Sequence, residues 1–291
     1  MSAVTVVTRA PDDWAVPIDG ASAATDICFL GRDRFLPGIG EMAHRQAYDV
    51  CEMPLATALQ AIAAGQPLIL LPVVALWRAP HPSLLRHPAM PASYDAVAGH
   101  RVAVRTFAQN GGVWTRAVLQ QQFQVDLATT TWLTTDPELF DRPKLPAWVT
   151  RTNSGQDITG MVRSHIADFA VVGASASIDA GTAPVSGSPA ADFRQWLRTG
   201  PLPLSHIMVT TESSIATHGD RIRELMDAVR KTAPETWAAG DALVGAALEP
   251  GMSFDRAHIQ DVIEQFAAIC ARQGVLEQEP LAVPAQIDLD W

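Results

Sequence analysis

An α/β protein is the fold class this 291-residue sequence predicts, and three observations predict it. Short apolar runs alternate with longer stretches whose apolar residues recur at helical spacing, the signature of strands and helices exchanged along one chain. The composition, 48% hydrophobic against 18% charged residues, suffices for a substantial core in one large domain or two ordinary lobes. From about Glu212 to Gly274 the strand-like runs stop and the chain reads as helices alone.

The strand-like runs are TVVT (5–8), DICFLG (26–31), LILLPVVAL (68–76), RVAVRT (101–106), DFAVVG (168–173) and SHIMVTTE (205–212). Their alternation with helices predicts a mainly parallel sheet. PLATALQAIAAG (54–65) reads as a helix stopped by Gly65. GVWTRAVLQQQF (112–123) is a second helix, started by Asn110 and the Gly111–Gly112 pair. The Pro-, Gly- and Ser-rich stretch GTAPVSGSPAA (181–191) reads as a surface loop or crossover. In the closing helix, SFDRAHIQDVIEQFAAICARQG, residues Ile259, Ile263, Phe266, Ile269 and Cys270 form one apolar face, and Gly274 ends it. The tail QEPLAVPAQIDLDW reads as irregular, and no internal repeat is visible.

The totals also exclude. A net charge of −10, with 21 dispersed basic residues, argues against a nucleic-acid partner, because binding phosphates needs a clustered basic surface. MSAVTVVTRAPDDWAV lacks the basic-then-apolar order of a signal peptide, and the longest apolar run, PLILLPVVALW (67–77), is too short to span a bilayer. Cys28, Cys51 and Cys270 are odd in number and far apart, as suits reduced thiols. The expectation is a soluble, cytoplasmic protein with no membrane partner. His44, His81, His100, His165, His218 and His258 show no metal-like spacing, so no metal site is assigned. Dinucleotide, phosphate-loop and Gly-x-Ser-x-Gly signatures are absent from the sequence.

Five stretches, AYDVCEMPLATAL (47–59), LPVVALWRAPHPSLLRH (71–87), AGHRVAVRTFAQNGGVWTRAVL (98–119), TGPLPLSHIMV (199–209) and FAAICARQG (266–274), carry a resemblance when read in that order and spacing. Together they resemble the 4,5-dihydroxyphthalate decarboxylases, over nearly the whole chain. The resemblance implies a two-lobed, periplasmic-binding-protein-like (type II) fold with its ligand cleft between lobes. Residues 1–87 and 200–291 would form lobe one. Residues 88–199, with a crossover at 181–199, would form an inserted lobe two.

The same resemblance implies a site. Removing CO2 from an aromatic acid leaves electron density on the ring carbon, which calls for a proton donor there, cationic or hydrogen-bonding anchors for carboxylates, and a dry pocket. His206 is expected as general acid or partner to a ring hydroxyl, against the plainer reading of a hydrogen-bonded histidine closing a hinge. Glu52, in DVCEMP, would orient a histidine or capture a hydroxyl, or simply favour a helix N-terminus. Arg86 and His87 read as a carboxylate clamp beside a second titratable group, or as a surface pair. FAQNGGVWTR (107–116) resembles an anion-holding turn, in which Asn110 would cap or contact ligand and Trp114 would stack on it or pack between elements. Arg116 matches a family arginine or makes a salt bridge, and Ser154 offers a hydroxyl from TNSGQDITG. Where the family tends to show Pro-Glu-aromatic, this chain has Arg105–Thr106–Phe107. Arg105 is therefore a new cation suited to a differently placed carboxylate.

The expectation is a cofactor-independent carboxy-lyase of a hydroxylated aromatic acid, with a divalent metal gripping a catechol kept open as a variant. The partner would be a small aromatic carboxylate, and a homo-oligomer is compatible with the sequence. The alternatives are a non-catalytic small-acid binding protein of the same fold, or another lyase of aromatic or quinone metabolism.

Overall fold

The computed structural model describes residues 3–9, 27–140, 144–153, 157–173, 181–240, 242–247 and 256–277. The chain divides into two compact units: residues 1–77, 204–268 and 278–291 form the first, and 78–203 with 269–277 the second. Residues 78–87, 200–203 and 269–277, read from sequence with lobe one, fall in unit two.

In unit one the described strands are β1 (Val4–Val7), β2 (Ile27–Phe29), β3 (Val50–Pro54), β4 (Leu68–Trp77) and β11 (Leu204–Thr211). They form one sheet in the order β2-β1-β3-β11-β4. β1 runs parallel to β2 and β3, whereas β11 is antiparallel to both β3 and β4. This departs from the mainly parallel expectation, and the chain path explains it. β4 ends at Trp77, where the chain leaves for unit two, and β11 returns at Leu204, in register with Trp77. A strand re-entering at the end where its neighbour left must run back antiparallel.

Side chains two apart share a sheet face. Val4 and Val6 of β1, Val50 of β3, Met208 of β11, and Leu71, Val73 and Ala75 of β4 form one apolar cluster. Against it packs α6 (Glu212–Gly240), through Ile222, Leu225, Met226 and Val229. Two further helices, α1 (Phe35–Arg45) and α2 (Leu55–Ala63), pack against β3, and α2 also against β4 and β11. α2 closes as the sequence predicts, with Gly65 at φ +83, a conformation that suits glycine.

In unit two the described strands are β5 (Leu84–Arg86), β6 (Arg101–Val104), β7 (Thr131–Thr134), β8 (Val149–Arg151), β9 (Phe169–Val171) and β10 (Ala183–Pro184), in the order β10-β5-β9-β6-β7-β8. β9, β6, β7 and β8 are parallel, and β5 is antiparallel to β9 and β10. Helix α4 (Ile158–Arg163) packs Ile158, Met161 and Val162 on Ala103 and Leu133. Alternation therefore turns Val104 and Trp132 to the opposite face. There they meet α3 (Asn110–Gln121): a Cβ on Gly112 would stand 3.1 Å from Val104, and Arg116 lies over Trp132. The expected loop 181–191 instead supplies β10 and the start of α5 (Pro189–Trp196). Proline at a first helical position loses no hydrogen bond, which lets α5 begin inside that stretch.

Beyond lie α7 (Ala242–Ala247) and α8 (Arg256–Arg272). The apolar face read from sequence for α8 is buried at Ile259, Ile263, Phe266, Ile269 and Cys270. Its end joins unit two because Gln273 bonds α3 twice, accepting from Arg116 Nε at 2.8 Å and donating to the Val113 carbonyl at 3.0 Å. Among the described residues no helix is long and apolar enough to cross a membrane.

The turn after α5 gives a test of this packing. Gly200 N–H donates to the Trp196 carbonyl at 2.8 Å, and Trp196 Nε1 donates to the Pro201 carbonyl at 2.8 Å. A Cβ on Gly200 would sit 2.6 Å from Trp196 Cζ2, against a ring that is itself buried. Gly200→Ala should destabilise the protein by about 1–3 kcal/mol, read as a lower urea midpoint with unchanged slope.

Candidate functional site

The apolar stripes on the α6 side of sheet one change character at one end of the sheet. On β1, Val4 and Val6 are followed by Thr8; on β3, Val50 is followed by Glu52; on β11, Met208 is preceded by His206. Because β11 is antiparallel to β3, these three side chains come to the same end. It is the C-terminal end of the parallel strands, the usual place for ligands in open α/β sheets.

Glu52 has no exposed surface. His206 Nδ1 lies 2.7 Å from Glu52 Oε1, and Thr8 Oγ1 and the Arg9 N–H donate to Oε2 at 2.7 and 3.0 Å. Arg9 Nε is 2.9 Å from Oε1, but its N–H points off that line, so the contact is one of charge. Arg9 Nη2 donates to the Ala75 carbonyl of β4 at 3.0 Å, which holds the guanidinium over the sheet end. Burial alone would push the Glu52 carboxyl up. His206, Arg9 and the Thr8 hydroxyl outweigh it and hold the carboxyl below its ordinary value. Cys51 alternates away from this face, and burial pushes its thiol up, so it offers no thiolate here.

His206 and Arg9 keep part of their side chains open, 16% and 28% respectively. With Nδ1 committed to Glu52, the His206 nitrogen for a ligand is Nε2. The Phe35 ring, at the start of α1, stands 5.9 Å from the imidazole and gives the site an apolar wall. A partly open imidazole fixed by a buried carboxylate, beside a partly open guanidinium, can move a proton and hold an anion. Among the described residues no group of three or more His, Cys, Asp or Glu is placed to hold a metal ion.

The structure thus brings Glu52 and His206 together. The other described sequence candidates lie in unit two. Arg86 gives its guanidinium to main-chain carbonyls, of Pro184 at 3.1 Å, Pro88 at 2.9 Å and Met90 at 2.8 Å, an arrangement that braces the β5–β10 edge. His87 accepts from the Ala89 N–H through Nδ1, and its ring lies 3.9 Å from that of His165. Arg105 donates to Asp136 at 2.8 Å at the surface. Asn110 is the first residue of α3 and is buried, after an N-cap at Gln109 that makes no side-chain capping bond. Trp114 is buried among core residues. Arg116 is fully buried and pairs with no described carboxylate; it donates to the Phe107 carbonyl and to Gln273. Ser154 lies outside the described residues.

No protein-family model matches the chain, and no curated protein sequence matches it significantly. Solved structures do. The alkanesulfonate-binding protein SsuA from Xanthomonas axonopodis pv. citri, bound to MOPS, aligns at 12% identity and a TM-score of 0.58, over 98% of each chain. The periplasmic aliphatic sulphonate binding protein SsuA from Escherichia coli aligns at 11% identity and a TM-score of 0.57, over 99% of this chain and 97% of that one. The chain has a periplasmic-binding-protein-like fold. A cysteine-to-serine mutant of DszB in complex with biphenyl-2-sulfinic acid is similar as well, at 14% identity and a TM-score of 0.58, over 99% of this chain and 96% of that one. At such identities the likeness shows the fold alone.

Arg9, Thr8 and Phe35 were not among the sequence candidates. The signal for the first two was available: TVVTRAP sets a hydroxyl and a cation directly after a buried strand, in register with DVCEMP. Phe35 carries no such signal.

Because Glu52 is held below its ordinary value, its ionic contribution to stability is fully present above the unfolded value, 4.5, and is lost as pH falls through the lower folded value. Glu52→Gln should cost about 3 kcal/mol near neutral pH by leaving its partners without a counter-charge. Urea titrations across the acid range should show the gap to wild type closing below the unfolded value, and a constant gap at every pH would contradict the ion-pair account.

Proposed function

We propose that this chain is a cofactor-independent decarboxylase of a hydroxylated aromatic carboxylic acid, of the 4,5-dihydroxyphthalate type. The observation that carries the reading is the His206–Glu52 pair, a partly open imidazole whose inner nitrogen is fixed by a buried, ionised carboxylate. The fold supports it in kind. SsuA is a sulfonate-binding protein seen with MOPS, and DszB is a desulfurization enzyme, so neighbours of this fold include both a binder of an organic anion and an enzyme.

In this reading the ionised Glu52 accepts Nδ1–H, so the imidazolium presents its other proton at Nε2. Arg9, partly open beside it, takes a carboxylate of the substrate. Nε2–H passes to the ring carbon that bears the departing carboxylate. A ring hydroxyl ortho or para to that carbon supplies the electron density, giving a dienone-like intermediate. The carbon–carbon bond then breaks, its electron pair returns to the ring, and CO2 leaves. One proton is consumed per turnover, and His206 recovers it from solvent. Phe35 keeps the reacting face apolar, which strengthens the charge interactions within it.

The test is CO2 release with product identification by mass, from purified protein given 4,5-dihydroxyphthalate and a panel of hydroxylated aromatic acids. Release from one acid is expected, and His206→Gln should lower kcat by about 10²-fold or more with KM changed only a few-fold. Saturable binding without release from any acid would overturn the decarboxylase and leave a binding protein. Unchanged kcat in His206→Gln would remove the histidine from the mechanism.

A further inference from the structure

The turn before α3 presents two adjacent main-chain N–H groups, those of Phe107 and Ala108, just ahead of the N-cap of a twelve-residue helix, a placement suited to an anion. Here that turn already holds an anion from the chain itself. Glu138, four residues beyond β7, accepts from the Phe107 N–H through Oε1 at 2.6 Å and from the Ala108 N–H through Oε2 at 3.0 Å. Both carboxylate oxygens are thus spent on adjacent amides, the two-point grip that a ligand carboxylate or sulfonate would otherwise make.

A second observation, independent of the helix end, shows that this place calls for negative charge. The Arg116 guanidinium is fully buried beneath the turn, with its carbon 4.4 Å from the Phe107 ring centroid. Nη2 donates to the Phe107 carbonyl at 2.8 Å and Nε to Gln273, while Nη1 has no hydrogen-bond partner among the described residues. Nη1 faces the first turn of α3: a Cβ built on Gly112 would stand 3.4 Å from it. Phe107 therefore joins the two charges, its N–H on the Glu138 carboxylate, its carbonyl on the guanidinium and its ring under the cation. Burial lowers the Arg116 pKa to about 9, with Cys270 and Glu138 acting in the opposite direction.

We propose that Glu138 is a specificity determinant: its carboxylate fills the amide turn ahead of α3 and shuts that turn to the carboxylate or sulfonate of a ligand. The acidic group of a ligand must then find its cation elsewhere. This inference stands apart from the reaction proposed above and survives its failure.

Chemical rescue tests it. Thermal melting of wild type, Glu138→Ala and Glu138→Gln would be followed in sodium formate and in sodium chloride at equal ionic strength. In chloride the alanine variant should melt about 3 °C or more below wild type, because two amides and a buried cation lose their anion. Formate, a free carboxylate small enough for the vacated space, should recover most of that loss in a saturable way, with no matching gain in wild type. The glutamine variant, which brings a neutral acceptor, should fall between the two. An alanine variant that folds only in formate supports the proposal equally. The same response to formate in wild type and variant, or a folded variant with none, would overturn it. So would an alanine variant unfolded in both salts together with a glutamine variant that gains nothing from formate.

Discussion

A carboxylate without exposed surface has to be neutralised by its neighbours or else take up a proton, and Glu52 imposes that condition on the whole end of sheet one. Its four contacts come from β11 through His206, from Thr8, and from the main chain and guanidinium of Arg9, with Arg9 tied in turn to β4. The antiparallel entry of β11 is what makes this arrangement possible. Run parallel, β11 would carry the side chain two before Met208 to the far end of the sheet, and Glu52 would face burial without its histidine.

Unit two meets the opposite problem, a buried cation, and meets it differently. Arg116 has aromatic faces around it, Phe107 at 4.4 Å and Trp132 at 5.0 Å, and carbonyl or amide oxygens as acceptors. Its negative charge is one peptide away, on Glu138, and arrives through Phe107. A guanidinium tolerates this better than an ammonium would, because its charge is spread over a plane that stacks on rings. The contrast bears on chemistry. The buried charge of unit one is the anchor of a partly open histidine, whereas that of unit two is closed beneath a turn that is itself occupied.

Strand runs and helical periods were legible because each is a local pattern, and the predicted runs at 5–8, 26–31, 68–76, 101–106, 168–173 and 205–212 each overlap a strand. Strand direction was not, since β11 takes its direction from where the chain re-enters after a whole intervening unit. The short strands β5, β7, β8 and β10 were also hidden, each lying outside the apolar runs read from sequence. At the site, Glu52 and His206 were reached through the resemblance, one between a strand-like segment and a helix, the other at the threshold of an apolar run. Arg9 did not stand out, although it follows a strand just as directly, because a cation after a strand is also what any exposed loop provides. Arg86 and Arg105 looked alike in sequence, yet one is wrapped in carbonyls and the other is paired at the surface. A guanidinium's type says that it will find oxygen, and only the fold says whose.

That Glu52 and His206 do more than hold the sheet together follows from what the same face does elsewhere. Over most of its length it is built from Val4, Val6, Val50, Val73 and Met208, packed under α6. Continuing those stripes with apolar residues would serve stability at least as well, since a buried ion pair rarely outperforms the hydrophobic packing it replaces. The stripes instead turn polar together on three strands, at one end, and leave an imidazole and a guanidinium each partly open. An ion pair needed for folding alone has no reason to stop short of burying both. The geometry is that of a group held ready for something outside the chain, and the carboxylate beneath it determines which nitrogen is offered.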